Sequence, residues 1–396
     1  MNHSDKNVLT EILQSQPERF QHLLDNADYH EIQILYTQIN RDETNYPHFT
    51  SYSYRTNKEH FFFPASTVKL PVVILALEKI NNLNIEGLAK YTPLRIDSAY
   101  VNQTEVLHDS TSENNLPTIA HYIKKVFLVS DNDAYNRLYE FLGQKTINES
   151  LWAKGFEDVC IVKRLSTFNT PEEDRYTNPL TFYDGDKILY RQPLVYNPEQ
   201  YPLELQGLQK GRGHYSDGEL IEEPLDFTRS NYFSIESQQE ILRSLLFPEA
   251  VPEKQRFNLS NDDYAFLCKY MSMLPRESDY PNYDSTEYYD SYVKYFMFGN
   301  SRDPIPEHIR IFNKVGQAYG YLVDNAYIVD FENEVEFLLT AVIYANANQI
   351  LNDDTYEYDE ISFPFLAQLG RTIYEYELKR ERKFAPDLSK FRFDYP

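Results

Sequence analysis

Cysteine is scarce in this chain: Cys160 and Cys268 are the only two in 396 residues. Neither stands in a Cys-x-x-Cys or Cys/His ligand spacing, so no zinc site is indicated. One disulfide and two buried thiols both fit that count. Positive charge is also in deficit, with 38 Lys and Arg against 61 Asp and Glu and a formal net charge of −23. This excludes nucleic acid and anionic lipid as favoured partners, because phosphate affinity needs a basic footprint. Long apolar runs are missing, so no helical bilayer span is expected. The start, Met1-Asn2-His3-Ser4-Asp5-Lys6-Asn7, is polar and does not read as a signal peptide. There is no Gly-x-Ser-x-Gly elbow, no His-Glu-x-x-His and no phosphate-binding glycine loop. The nine histidines show no ligand spacing, so no metal and no cofactor are expected.

What is present is a core-forming composition, 42% hydrophobic and 15% aromatic, with 34 Tyr against a single Trp. Hydrophobic spacing predicts an amphipathic helix over about 7–25 and alternating strands at 31–39 and 48–54 with a hairpin turn between them. Residues 70–83 are apolar almost all round, as in a helix buried at a domain centre. Further helices are expected at 119–128, at 133–142 with a stop at Gly143, at 235–246, at 262–274 after the capping-box-like Ser260-Asn261-Asp262-Asp263, and at 363–378. Strands are expected at 310–322, 325–331 and 335–344. Residues 184–232 read as a long ordered insertion, in which Gly207–Gly213 looks like a mobile turn. Residues 275–307 look loop-like. The order suggests one α+β domain over 1–396. Its antiparallel sheet is assembled from both chain ends (1–65 and 308–396) and flanked by terminal helices. A helical subdomain, 66–307, is inserted between them.

Three short elements could carry chemistry. Ser66-Thr67-Val68-Lys69 sets a hydroxyl and an amine one helical turn apart, just before the buried helix. A helix N-terminus favours developing negative charge, and a buried lysine can lose its proton. Alone this spacing is weak, since about one is expected by chance in such a chain. Ser130-Asp131-Asn132 follows 64 residues after Ser66, and Lys314-Val315-Gly316 lies on an expected C-terminal strand.

In that order the three elements resemble the signatures of the penicillin-recognising serine hydrolases, and most closely the class A β-lactamase branch. The resemblance runs from the first helix to the last. It implies a β-lactamase/D,D-peptidase-like fold, with the site in the cleft between a sheet subdomain and an all-helical one. It further implies that Ser66 is acylated, that Lys69 takes its proton, and that Ser130, assisted by Lys314, protonates the leaving nitrogen. Asn132 would hold the substrate amide and Lys69, and Asp131 would brace its loop. The N–H groups of Ser66 and Gln317, next to Gly316, would hold the oxyanion. The expected partner is a small β-lactam or peptide-like substrate, on a monomer. The family's home is the periplasm or cell envelope, which would fit a leader already removed; a cytoplasmic location stays open.

Two departures bear on mechanism. Val315 stands where the family has Thr or Ser, so one hydrogen bond to a β-lactam carboxylate is missing. The family's deacylating Glu, with an Asn four residues on, has no secure equivalent. Asp174 with Asn178 has the right spacing but a shorter side chain, and Glu173 is offset by one. Three readings stay open: a β-lactamase, a D,D-peptidase or esterase of the same fold with poor β-lactam turnover, and a non-catalytic envelope binding protein.

Overall fold

The computed structural model describes residues 7–396. The polar start read at 1–6 lies outside the described residues. The helix expected over 7–25 is two helices, α1 (Val8–Gln14) and α2 (Pro17–Leu24). Pro17 causes the break: its ring disfavours helical backbone at Gln16 and it has no N–H to donate. A hairpin follows, β1 (Gln33–Arg41) and β2 (Pro47–Tyr54), closed where Asp42 Oδ1 accepts from the N–H groups of Thr44 and Tyr46. A short 3-10 turn, Ala65–Val68, leads into α3 (Lys69–Leu83), whose stretch Leu70–Leu77 is wholly buried.

Next come β3 (Leu94–Ile96), α4 (Ile119–Val129) and α5 (Asn132–Leu142). Gly143, at φ +81°, ends α5 as expected, but the chain re-enters a helix at once, α6 (Gln144–Ala153), which periodicity did not reveal. Short strands then cover β4 (Val159–Cys160), β5 (Leu180–Asp184), β6 (Lys187–Gln192), β7 (Gln209–Lys210), β8 (Gly213–Ser216), β9 (Glu219–Ile221), β10 (Leu225–Asp226) and β11 (Tyr232–Phe233). The insertion is therefore ordered, and small sheets accompany the helices of the inserted part. The Gly207–Gly213 turn is not mobile but pinned: Lys210 Nζ donates to both carboxylate oxygens of Glu31 at 2.8 Å. Helices α7 (Ile235–Leu246) and α8 (Asn261–Ser272) follow, the latter opened by a Ser260/Asp263 capping box.

The C-terminal strands are β12 (Ile309–Ala318), β13 (Tyr321–Asp330) and β14 (Val335–Tyr344), then β15 (Ile350–Leu351) and α9 (Phe363–Lys379). The strand expected to reach 322 stops at Ala318, because Tyr319 and Gly320 take left-handed backbone in a tight turn. The five-stranded antiparallel sheet has the order β12-β13-β14-β1-β2, so the two chain ends meet where β1 pairs with β14. One face packs on α1, α2 and α9 through Leu9, Phe20, Tyr36, Phe337 and Leu369. The other face packs on the helical layer through Phe312, Tyr327 and Leu338. Gln239 of α7 is tied to the sheet by donating to Leu35 O and Thr340 Oγ1, both at 3.0 Å. Both cysteines are buried free thiols. No described helix is long and apolar enough to cross a membrane.

Candidate active site

The Ser66 turn is set by backbone conformation. Ala65 has φ +47°, a left-handed value that is strained for any residue with a Cβ. Thr67 Oγ1 donates to Pro64 O at 2.7 Å and holds the turn closed. Ser66 itself is half-buried, makes no side-chain hydrogen bond among the described residues, and lines a cleft of about 720 Å³. Its hydroxyl is thus free for a ligand at the N-terminal end of the helical segment that continues as α3.

Strand β12 is the sheet's edge, and it lies against this turn. Gly316 makes the approach possible. A Cβ there would sit 2.6 Å from Pro64 O and 3.1 Å from Ser66 N, so no side chain fits. Gln317, the next residue, is exposed on the cleft. Alternation along β12 sends Phe312 toward the helical core, Ile311 and Val315 toward the outer helices, and Lys314 toward the site.

Lys69, wholly buried, donates to Ser130 O, to Asn132 Oδ1 at 2.6 Å and, more distantly, to Ser130 Oγ at 3.3 Å. Lys314 Nζ donates to the same Ser130 Oγ at 2.8 Å and to Val315 O at 3.0 Å. One hydroxyl is therefore bracketed by two amines. Ser130 caps α4 in left-handed backbone, φ +58°, and its hydroxyl lies between the two lysines. Asp131 N-caps α5 by accepting from Ala134 N at 2.8 Å, the bracing role expected of it.

Burial lowers the Lys69 ammonium to about 7, opposed by the negative charge of Asp131. Lys314 is lowered well below its ordinary value, first by burial and then by the Lys69 charge. A neutral Lys69 uses two N–H groups on Ser130 O and Asn132 Oδ1 and keeps a lone pair for a proton. Around pH 7 Lys69 therefore exchanges between ammonium and amine, and Lys314 is displaced in the same direction.

The acidic residues expected to activate water are elsewhere. Asp174 is buried behind the cleft wall, where Arg164 and Asn169 each donate to its Oδ1 at 3.2 Å. Burial pushes its carboxyl up to about 6 against the opposing pull of Arg164. It ties Arg164 to Asn169 within the 164–178 loop and is not among the residues that line the cleft with Ser66. Glu173 accepts from Asn102 Nδ2 at 2.7 Å and Thr170 N at 2.6 Å and turns outward. Asn178 is fully buried, donating to Asp97 O and Thr104 O. These three are corrections to the reading from spacing: side-chain reach could be counted along the chain, but the direction of the loop could not. Val315 is also off the cleft, buried among the residues under the outer helices, so its missing hydroxyl is not missing from the lining.

Sequence reasoning missed Ser166, whose Oγ accepts from Asn132 Nδ2 at 2.7 Å. It also missed the aromatic wall of Phe63, Phe227 and Tyr319, with Phe63 and Tyr319 edge-to-face at 4.8 Å. Nothing local marks these positions. Phe227 belongs to the insertion, which walls the cleft. The carboxylates that do line it, Asp226 and Asp354, come from the insertion and from the segment after β15, and Asp226 is engaged by Thr228. Among the described residues no cluster of three or more His, Cys, Asp or Glu could hold a metal ion.

Residues 18–210 match the model of a family described as the Beta-lactamase enzyme family. That span contains Ser66, Lys69, Ser130 and Asn132, and Lys314 lies beyond it. No curated protein matches the chain. Similar solved structures include a β-lactamase from Sphaerobacter thermophilus, 12% identical, with a TM-score of 0.48 over 93% of this chain and 96% of that one. An ancestral class A β-lactamase is 15% identical, with a TM-score of 0.47 over 92% and 99%. A β-lactamase from Xanthomonas campestris is 11% identical, with a TM-score of 0.49 over 92% and 98%.

Proposed function

We propose that this protein, a serine hydrolase of the β-lactamase fold, acylates itself at Ser66 with an amide or ester substrate and releases the acyl group slowly. The observation that carries the reading is Ser130 Oγ held between Lys314 Nζ at 2.8 Å and Lys69 Nζ at 3.3 Å, beside an unengaged Ser66. Neutral Lys69 takes the Ser66 proton as Oγ attacks the carbonyl. The oxyanion sits between the N–H of Ser66 and that of Gln317 on the free edge of β12. The bond to the leaving group then breaks. Ser130 passes it a proton and is reprotonated through the lysine pair.

Slow release follows from the positions of the carboxylates. Asp174, Glu173 and Asn178 serve the loop, and no described carboxylate hydrogen-bonds Ser66, Lys69 or Ser130; Asp131 acts on Lys69 through its charge alone. An acyl-enzyme without a positioned base persists, as in a penicillin-binding protein or peptidase. The family match favours a second reading, in which a β-lactam is the substrate and Lys69 activates the water that completes its hydrolysis.

Intact-mass spectrometry of wild type and Ser66→Ala, with a panel of penicillins, cephalosporins and peptide thioesters, tests this alongside a chromogenic hydrolysis assay. An adduct that outlasts the assay, on wild type alone, is the expected result. Turnover of a β-lactam with no accumulating adduct, lost in Ser66→Ala, would support the second reading instead. Neither adduct nor turnover with any acyl donor would overturn both.

A further inference from the structure

A second cavity of about 350 Å³ opens beside the catalytic cleft, and Lys163 and Arg229 line both. We propose that it is a substrate subsite, taking the distal arm of an extended peptide-like acyl substrate that carries a carboxylate at the junction and an aromatic or apolar group beyond it. The proposal rests on the Ser66 reading above and extends it to substrate class.

Lys163 is presented by a fixed backbone. Asn231, itself buried, accepts from the N–H groups of Val162 and Lys163 at 2.8 and 2.9 Å, and Tyr135 Oη donates to Lys163 O at 3.0 Å. Arg229 comes from the insertion, next to buried Ser230. Among the described residues neither cation forms an ion pair. Every other cation near them is committed: Arg164 to Glu140 and Asp174, and Arg175 to Glu172. Arg229 reaches only electrostatically to Asp226, whose carboxyl is held below its usual range first by Thr228. In a chain with a formal charge of −23, two cations outside any ion pair, half-buried Lys163 and exposed Arg229, lining both cavities form a local site for an anion.

Beyond that junction the lining is largely apolar, with Val162, Pro171, Tyr201 and Pro202. Glu199 and the Arg175-paired Glu172 also line this cavity, which disfavours a second anion deeper in. The pattern therefore calls for one negative charge at the mouth and an uncharged, bulky group inside. A bare β-lactam nucleus would leave this space unfilled.

The single tryptophan reports on the cavity. Trp152 stands edge-to-face with Tyr201 at 5.2 Å. The test is a titration of Ser66→Ala, which cannot turn over, with N-benzoylphenylalanine and with its uncharged amide, followed by Trp152 emission. A saturable change is expected with the acid. Binding should be about tenfold weaker for the amide, and likewise for the acid on the Ser66→Ala/Lys163→Gln/Arg229→Gln protein, as for loss of a charge-assisted hydrogen bond. No saturable change, or equal affinity for acid and amide, would overturn the subsite. In parallel, wild type is offered two thioesters with the same scissile bond, one bearing this arm and one truncated. Equal KM for the two would also overturn the subsite, while leaving Ser66 acylation intact. Saturable, charge-dependent binding with no Ser66 adduct from either thioester would instead remove the acyl-enzyme reading, and with it the role of the cavity as a substrate arm site.

Discussion

Replacing Lys69 by Met removes a charge site that folding buries completely and leaves most of the volume in place. With the folded amine lowered to about 7 against an ordinary 10.5, the unfolded chain binds the extra proton throughout the interval between them. Stability therefore rises with pH across that window, by about 1.4 kcal/mol per pH unit, and the full cost of the buried charge is felt below 7. Lys69→Met carries no such slope. Of its orphaned acceptors, Ser130 O and Asn132 Oδ1, the latter belongs to a residue that lines the cleft and can take water. The variant should be the more stable protein at pH 6, and its advantage should shrink by ~2–3 kcal/mol between pH 7 and 9. Lys294, also lowered to about 7 by burial, and the thiols, pushed up to about 12, are common to both proteins and drop out of the difference, whereas Lys314 keeps its burial but loses the Lys69 charge and so adds a smaller change of its own. Urea unfolding at each pH measures it. The same lysine governs chemistry, so Ser66 acylation in wild type should rise about tenfold per unit below pH 7 and flatten above it. A stability difference that stays constant from pH 6 to 9, or an acylation midpoint above 9, would refute the argument that burial frees the lysine's lone pair.

Gly316→Ala drives a Cβ to 2.6 Å from Pro64 O, so the edge of β12 must move off the Ser66 turn. Acylation should fall at least about tenfold while circular dichroism is preserved, with a stability loss on the order of 1–3 kcal/mol. Asp174→Asn weakens a buried link in which Arg164 still holds Glu140. It should cost about 1–3 kcal/mol yet leave the lifetime of the Ser66 adduct within about twofold; a lifetime lengthened a hundredfold would make Asp174 the deacylating base after all. Arg41→Met strands Glu336 in the sheet with, among the described residues, only the Tyr327 hydroxyl hydrogen-bonded to it. The denaturation midpoint should drop by the equivalent of about 3–5 kcal/mol, with Ser66 acylation of the surviving native fraction unchanged.

Some of this was determined by the sequence alone, because its causes are local. Alternation at 31–39 and 48–54, and the apolar run after Ser66, are local patterns, and β1, β2 and α3 form there. The Ser66/Lys69, Ser130/Asn132 and Lys314/Gly316 elements could be read from spacing, and in the fold Lys69 and Lys314 both donate to the Ser130 hydroxyl while Lys69 also donates to Asn132. Breaks in the chain were legible only in part. Pro17 splits a helix that periodicity alone runs together, and α6 restarts directly beyond the Gly143 stop.

Only the tertiary structure decided where side chains separated along the chain end up. A four-residue spacing made Asp174 and Asn178 look like a catalytic pair, but Arg164 draws the carboxylate inward and the backbone of residues 97 and 104 takes the amide. The aromatic wall joins residues 63, 227 and 319, and the two cations that line both cavities are residues 163 and 229, so no window of sequence contains either set. The protonation of Lys69 and Lys314 is likewise a property of burial, because the same side chains in water would stay charged well above pH 7.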